Sequence, residues 1–302
     1  MIESTQQALP HGITLSCRSA GEKGRPVLMF LHGFPEAAFI WDHMLLHFSR
    51  VENGGYRCIA PNLRGFELSS APLDVSAYRP KHLVQDIAAL IALEGGPIEA
   101  LVAHDWGGAL AWNLAASQPQ LIKKLAIINS PHPGTFLREL QHSPTQQAAS
   151  GYMNFLIRPD AEKLLAEDNF RRLLEFFMPF GMRDGKAAPR TAPGWLTEEL
   201  RAQYRDIWRR GLTGPLNFYR ASPLRPDPKL AKLVIPRELL NVHVPTLVMW
   251  GMGDIALPPG LLDGLADYVP DMQVERVDNA THWIIHEQPA LVTARLQLFL
   301  QP

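Results

Sequence analysis

The sequence has few cysteines, no strong net charge and no long apolar run. Its 302 residues include only two cysteines, Cys17 and Cys58, and neither has the spacing of a metal-binding or redox motif. Two isolated thiols predict a cytoplasmic protein with reduced cysteines and no disulfide framework. The 29 basic and 30 acidic residues leave a net charge of −1, which argues against a basic surface for nucleic acid.

Membrane association is not predicted either. No apolar stretch reaches the roughly 18–20 residues that a membrane-spanning helix needs. The first residues, Met-Ile-Glu-Ser-Thr-Gln-Gln, have neither a basic start nor an apolar core, so no secretory signal is visible. With 46 % hydrophobic residues, the chain has the composition of a packed globular protein, and its length allows about two domains.

Short apolar runs alternate with helical patterns at both ends of the chain. Six runs are predicted strands, at 26–31, 57–61, 99–103, 124–129, 245–250 and 273–277. Five segments have helical patterns, at 37–48, 80–93, 108–117, 259–268 and 288–300. Strands that alternate with helices predict βαβ units and a mainly parallel sheet. Ligands bind such sheets at the carboxyl ends of the strands, so the residues that follow each strand are the candidates for a site.

Residues 134–234 interrupt this alternation. They are rich in arginine and proline and carry amphipathic helical patches, but they contain no convincing strand. We therefore predict a helical cap domain at 134–234, inserted between two parts of an α/β core at 1–133 and 235–302. Within the insertion, residues 182–193 contain glycine, proline and several basic residues and are predicted to form an exposed loop.

An aspartate follows the third predicted strand. Residues 102–108 read Val-Ala-His-Asp-Trp-Gly-Gly, which puts Asp105 between the small residues Ala103 and Gly107. A nucleophile elbow needs this spacing, because a sharp strand-to-helix turn exposes one side chain and leaves little space beside it. The same turn frees the N–H of Trp106 at a helix N-terminus. A helix cap would explain the aspartate but not the small residues on both sides.

Three other strands end in residues that suit the same chemistry. His-Gly-Phe-Pro at 32–35 follows the first strand, and its turn lets the N–H of Phe34 point into the crevice. Asp254 follows the fifth strand, and His282 follows the sixth. The chain order Asp105, Asp254, His282 is the nucleophile–acid–histidine order of α/β-hydrolases.

The sequence resembles the epoxide hydrolase family of the α/β-hydrolase superfamily over nearly its whole length. The resemblance rests on His-Gly-Phe-Pro at 32–35, His-Asp-Trp-Gly-Gly at 104–108, Ser-Pro-His-Pro at 130–133, Trp-Gly-Met-Gly-Asp at 250–254 and Thr-His-Trp at 281–283. It implies a mostly parallel central sheet flanked by helices, with an inserted helical cap. In this family the cap supplies two tyrosines that face the nucleophile, and the surroundings of Tyr152 and Tyr219 are similar to those two motifs.

The resemblance implies that an epoxide is opened to a vicinal diol in two steps. Asp105 attacks an epoxide carbon and forms an alkyl ester, while Tyr152 and Tyr219 act as acids toward the leaving oxygen. A serine nucleophile would form an ether, which has no carbonyl carbon for water to attack. Water activated by His282, which Asp254 orients, then hydrolyses the ester.

Four residues are expected to bind the substrate: Phe34, Trp106, Tyr152 and Tyr219. The backbone N–H groups of Phe34 and Trp106 are also the expected oxyanion hole of ester hydrolysis. The expected partners are a small apolar epoxide and water, without a metal, a cofactor, nucleic acid or a membrane. The sequence does not predict the oligomeric state.

Two other functions stay open. Haloalkane dehalogenases share the fold, the aspartate and the following tryptophan, but they hold halide with that indole N–H and a second donor, often an asparagine where Phe34 stands. Fluoroacetate dehalogenases bind a carboxylate through arginines at the positions of Trp106 and Ala109. A ligand-binding protein without activity is the remaining alternative, although it would not need the nucleophile, the acid, the histidine and both tyrosines.

Overall fold

A computed structural model describes residues 1–178, 182–183, 186–187 and 192–301 of the chain. Its ten strands are β1 (Glu3–Ala8), β2 (Thr14–Ala20), β3 (Val27–Leu31), β4 (Arg57–Pro61), β5 (Ile98–His104), β6 (Ile122–Ile128), β7 (Met182–Arg183), β8 (Lys186–Ala187), β9 (Thr246–Gly251) and β10 (Met272–Val277). Strands β7 and β8 pair only with each other. The rest of the loop predicted at 182–193, apart from residues 192 and 193, lies outside the described residues.

The other eight strands form one sheet in the order β1-β2-β4-β3-β5-β6-β9-β10. Strand β2 runs antiparallel to β1 and β4, and all other neighbours are parallel. The predicted α/β fold with a mostly parallel sheet flanked by helices is therefore confirmed. Strands β1 and β2 were not predicted. Strand β1 is largely exposed and polar, and the mostly buried strand β2 contains two serines and an arginine that leave no apolar run.

Eleven α-helices occur in the described ranges. They are α1 (Asp42–Phe48), α2 (Pro80–Leu93), α3 (Trp106–Ser117), α4 (Pro133–His142), α5 (Pro144–Ala149), α6 (Tyr152–Leu156), α7 (Ala161–Leu174), α8 (Glu198–Trp208), α9 (Thr213–Ala221), α10 (Ile284–Glu287) and α11 (Pro289–Leu300). The helix predicted at 259–268 is wrong, because the structure has two short 3₁₀ turns there, Pro259–Leu262 and Leu265–Asp267. Gly264 between them has a φ of +68°, which a right-handed helix does not contain.

The sheet separates two apolar cores. Alternate residues of β3 point to opposite faces, as the two-residue period of a strand requires. Leu28 and Phe30 join one core, where Phe30 contacts Trp41 at 5.4 Å between ring centroids. Met29 and Leu31 join the other core, which continues into the helices between β6 and β9.

The segment between β6 and β9 adds no strand to the central sheet, and its described part is mainly helical. We call residues 134–234 the cap segment; the domain limits at 134 and 234 stay a prediction. Helix α9 approaches the core closely at Gly65, where an added Cβ would lie 2.8 Å from the Cα of Gly214. Only glycines allow the two backbones to meet there, and this contact fixes the helix that carries Tyr219.

Both cysteines, Cys17 and Cys58, are free and buried. Burial raises the pKa of each thiol to about 12, so both are inert thiols at neutral pH. Within the described residues, no helix combines the length and the apolar character that crossing a bilayer requires. The cytoplasmic location stays a prediction.

Candidate active site

Asp105 lies on the tight turn between β5 and α3. Its φ of +50° and ψ of −122° are rare for a residue with a side chain. The neighbours must be small, because an added Cβ would lie 2.3 Å from Asp105 Cβ at Gly33 and 2.6 Å from the carbonyl of His32 at Gly107. Ser130 Oγ donates a hydrogen bond of 2.6 Å to the Asp105 carbonyl and holds the turn from the next strand. The turn has the geometry expected of a nucleophile elbow.

The structure brings Asp105, Asp254 and His282 together at the carboxyl ends of three strands. His282 Nδ1 donates to Asp254 Oδ2 at 2.7 Å, and its Nε2 lies 3.7 Å from Asp105 Oδ2. Asp254 is fully held, because it also accepts hydrogen bonds from the N–H groups of residues 256 and 257 and from Asn129 Nδ2 at 2.8 Å. The amide of Asn129 therefore helps to fix the orientation of the Asp254 carboxylate, although no sequence motif indicated this residue.

Two further contacts fix the loop that carries His282. His104 Nε2 donates to the His282 carbonyl at 3.0 Å, and the rings of the two histidines lie 4.7 Å apart. Thr281 donates twice to the Glu287 carboxylate, through its N–H and its hydroxyl, at 2.7 Å each. These hydrogen bonds fix the backbone of the loop at residues 281 and 282 and therefore help to position the imidazole.

The carboxylate of Asp105 has two different oxygens. Oδ1 accepts the N–H of Phe34 at 2.8 Å, whereas Oδ2 faces His282. The N–H of Trp106 is the first of helix α3, where an N–H has no partner within the helix. Of the two N–H groups predicted as an oxyanion hole, that of Phe34 therefore contacts the Asp105 carboxylate, and that of Trp106 follows Asp105 directly in the chain.

Tyr152 and Tyr219 lie opposite this turn, on α6 and α9. Their rings meet at 6.2 Å and 77°, and Tyr219 also meets the rings of Phe34 at 5.2 Å and Trp106 at 5.0 Å, edge to face. Burial raises the pKa of both phenols well above the usual value, and the charge of Asp105 raises it further. Both tyrosines are therefore neutral hydrogen-bond donors at physiological pH.

The candidate residues share two cavities. A cavity of about 680 Å³ is lined by Asp105, Tyr152, Tyr219 and His282, and a second one of about 210 Å³ reaches Asp105 and both tyrosines from another side. Their remaining walls are mainly apolar. In the described part of the chain, no group of three or more His, Cys, Asp and Glu side chains could hold a metal ion.

Three carboxylates control the charge of His282. Burial alone would lower the pKa of His282, but Asp254, Asp105 and Glu36 together raise it to about 9. His282 therefore carries a proton at neutral pH.

This raised pKa predicts a loss of stability at alkaline pH. In the unfolded chain the histidine pKa is 6.5, so the contribution of charged His282 is complete below that pH and disappears as the pH rises through about 9. We expect the free energy of unfolding to fall by about 3 kcal/mol over this range, and the fall to be absent in a His282→Gln variant. Urea unfolding at several pH values measures both; equal pH dependence in the two proteins would contradict the assignment.

Sequence reasoning missed the buried carboxylate of Glu36. It accepts hydrogen bonds from His286 Nε2 at 2.6 Å and from the hydroxyl of Tyr204 in the cap segment at 2.8 Å. Burial would raise the pKa of Glu36, but His286 and His104 hold it well below its usual range. Glu36 directly follows the His-Gly-Phe-Pro motif, and a charged residue next to a turn motif was the signal that could have found it.

The fold is that of an α/β-hydrolase, and Asp105 lies on the turn where that fold places its nucleophile elbow. Comparisons with known proteins agree on the fold. A family model described as alpha/beta hydrolase fold matches residues 26–289. The chain is 32 % identical over 293 residues to AB hydrolase superfamily protein YfhM of Bacillus subtilis, covering 96 % of each chain. It is also 32 % identical over 294 residues to Epoxide hydrolase 3 of Xenopus tropicalis, covering 96 % of this chain and 75 % of that one.

A solved structure is similar over nearly the whole chain. The crystal structure of Bacillus megaterium epoxide hydrolase in complex with an inhibitor has a TM-score of 0.86 and 30 % identity, covering 98 % of this chain and 99 % of that chain. The chain belongs to the α/β-hydrolase superfamily and, within it, to the epoxide hydrolase family. It is a hydrolase.

Proposed function

We propose that the protein hydrolyses epoxides to vicinal diols through a covalent ester on Asp105. The observation that carries the proposal is one cavity that holds a carboxylate with a free oxygen, a histidine–aspartate pair and two neutral phenols. The named epoxide hydrolases among its relatives support the reaction class.

In the first step, Asp105 Oδ2 attacks an epoxide carbon. The new C–O bond forms as the ring C–O bond breaks, and the ring oxygen takes a proton from Tyr152 or Tyr219. Oδ2 is the attacking oxygen because Oδ1 is already bound by the N–H of Phe34. This step leaves a neutral ester, a tyrosinate and protonated His282.

In the second step, water hydrolyses the ester. Esterification removes the negative charge of Asp105, which is one of the charges that raise the pKa of His282. His282 therefore releases its proton, which returns through solvent to the tyrosinate, and becomes a base. It takes a proton from water, the hydroxide attacks the ester carbon, and the oxyanion on Oδ1 is held by the N–H groups of Phe34 and Trp106. Collapse expels the diol oxygen, which takes the proton from His282. The carboxyl group left at Asp105 then gives its proton to His282, which restores the carboxylate and the charged imidazole.

The cavity walls favour an apolar epoxide over the halogenated alternatives. Cavities of about 680 and 210 Å³ meet at Asp105 and both tyrosines, so each epoxide carbon has apolar space for a substituent. The side chain of Phe34 cannot donate a hydrogen bond to halide. Trp106 and Ala109 provide no cation for a small carboxylate substrate.

A single turnover in heavy-oxygen water tests the proposal. With enzyme in excess over an aryl epoxide, the first diol is expected to contain unlabelled oxygen from Asp105, and the label is expected in the Asp105 carboxylate. Solvent label in the first diol would mean direct hydration and would overturn the ester. Parallel incubations with a bromoalkane and with fluoroacetate test the alternative functions. Halide release without any diol would identify a dehalogenase. Binding without any product would identify a non-catalytic receptor.

A further inference from the structure

Four aromatic side chains of the larger cavity form a closed cycle. Phe34 meets Phe176 at 5.9 Å, Phe176 meets Tyr152 at 5.9 Å, Tyr152 meets Tyr219 at 6.2 Å, and Tyr219 meets Phe34 at 5.2 Å between ring centroids. All four pairs are edge to face, at 77° to 83°. Three members have a part in the proposed reaction, through a backbone N–H or a phenol. Phe176 has none, although it touches two of the other three.

A core tryptophan holds Phe176 in this cycle. Phe176 lies on the 3₁₀ turn Glu175–Phe177 that follows helix α7. Carbonyl groups at helix ends lack partners within the helix, and the Phe176 carbonyl accepts the indole N–H of Trp283 at 3.1 Å. Trp283 directly follows His282 in the chain. One hydrogen bond therefore ties the catalytic-histidine loop of the core to the cap segment beside Tyr152.

Trp283 is itself well fixed. It is only 8 % exposed, and its ring packs against Phe177 at 4.5 Å and His282 at 4.7 Å. Tyr152, by contrast, opens helix α6, which spans only Tyr152–Leu156, and so short a helix has little stiffness of its own. The ring of Tyr152 therefore depends on its neighbours, Phe176 and Tyr219, for its orientation.

We propose that Trp283 is a positioning residue for epoxide ring opening. Its indole N–H holds the backbone at Phe176, and the Phe176 ring holds Tyr152 at the angle from which the hydroxyl meets the epoxide oxygen. The effect of losing the indole N–H is expected on the acid side of the site, because a phenylalanine ring at 283 still packs against His282, which Asp254 and His104 hold separately. This inference rests on the proposed function.

The test replaces the indole while keeping an aromatic ring. In a Trp283→Phe variant, the rate constant of ester formation is expected to fall about threefold to tenfold, the range of one lost hydrogen bond. The rate constant of ester hydrolysis is expected to stay unchanged. Quenched single-turnover reactions, followed by the intact mass of the protein, measure the two steps separately.

Trp195→Phe is the matched control. Trp195 contacts the same Phe177 ring at 5.8 Å, but its indole N–H has no hydrogen-bond partner among the described residues. The same substitution there removes an indole from the same cluster without breaking a bond, and it is expected to change neither step. Equal slowing of ring opening in both variants would show a general packing effect and would overturn the proposal.

A double-mutant cycle tests the route through the Phe176 ring. Phe176→Ala alone is expected to slow ester formation at least as much as Trp283→Phe, and Trp283→Phe is expected to add nothing in that background. Additive losses, or hydrolysis slowed as much as ring opening, would overturn the proposal. The wild type is measured first: no ester from any epoxide would refute the proposed function itself, whereas an ester that forms at the same rate in Trp283→Phe refutes only this inference.

Discussion

Replacing His282 with asparagine is expected to stop the reaction after one turnover. Asparagine keeps a donor for Asp254 but cannot take a proton from water, so the ester formed on Asp105 is not hydrolysed. We expect the hydrolysis rate constant to fall by about 10²–10⁴-fold, the range for loss of a general base. Mass spectrometry after incubation with an epoxide should find the substrate mass on the peptide that contains Asp105.

The trapped ester follows from the separation of two tasks in the site. Attack needs only the carboxylate group of Asp105 and an acid for the leaving oxygen, and both are present without the imidazole. Hydrolysis needs a base, and the pKa of His282 shows how the base is released, because one of the charges that hold its proton is the carboxylate that becomes esterified.

The Asp105→Ala/His282→Asn double variant is the control for the trap. It has no carboxylate at the elbow and is expected to gain no mass under the same conditions. An unmodified Asp105 peptide in the His282 single variant, with an epoxide that the wild type converts, would contradict the covalent route. Mass found on another residue would contradict the identity of the nucleophile.

The parts of the candidate site that depend on local turns could be predicted from the sequence. The elbow at Asp105 is recognisable because its strained backbone demands small neighbours within two residues along the chain. Buried parallel strands produce apolar runs that the sequence displays directly, and the order of residues after these strands predicted that Asp105, Asp254 and His282 would meet. Both predictions use information within a few residues of each strand end.

The contacts that the sequence could not predict join distant segments. Glu36 and Tyr204 are 168 positions apart, and Phe176 and Trp283 are 107 positions apart. Each pair meets only after the cap segment has packed on the core, and nothing in the neighbouring sequence specifies that packing. Asn129 and Asp254 follow the paired core strands β6 and β9, and their contact across 125 positions depends on that pairing, which the sequence near either residue does not specify.

Removing the hydroxyl groups of both Tyr152 and Tyr219 is expected to abolish ring opening. Tyr152→Phe and Tyr219→Phe each leave one donor for the epoxide oxygen, so each single variant is expected to slow ester formation moderately. The double variant leaves none, and we expect a loss of about 10²–10⁴-fold, the usual contribution of a general acid. Phenylalanine keeps the edge-to-face contacts of the rings, so the aromatic cycle with Phe34 and Phe176 is preserved.

The size of this effect follows from the burial of the leaving oxygen. An alkoxide that forms in a mainly apolar cavity without a donor is strongly disfavoured. Because burial and the charge of Asp105 raise the pKa of both phenols, each keeps its proton until the ring oxygen takes it. Tyr268→Phe is the control, since this phenol lies outside both cavities and stacks on His132 instead.

A substrate that needs no acid separates proton donation from packing. Phenacyl bromide alkylates a carboxylate by expelling bromide, and bromide leaves without a proton. If the tyrosines act as acids, the double variant loses ester formation from an epoxide but keeps alkylation of Asp105 by phenacyl bromide. If they only shape the cavity, both reactions slow together, and the role of Tyr152 and Tyr219 as proton donors is refuted even though Asp105 remains the nucleophile.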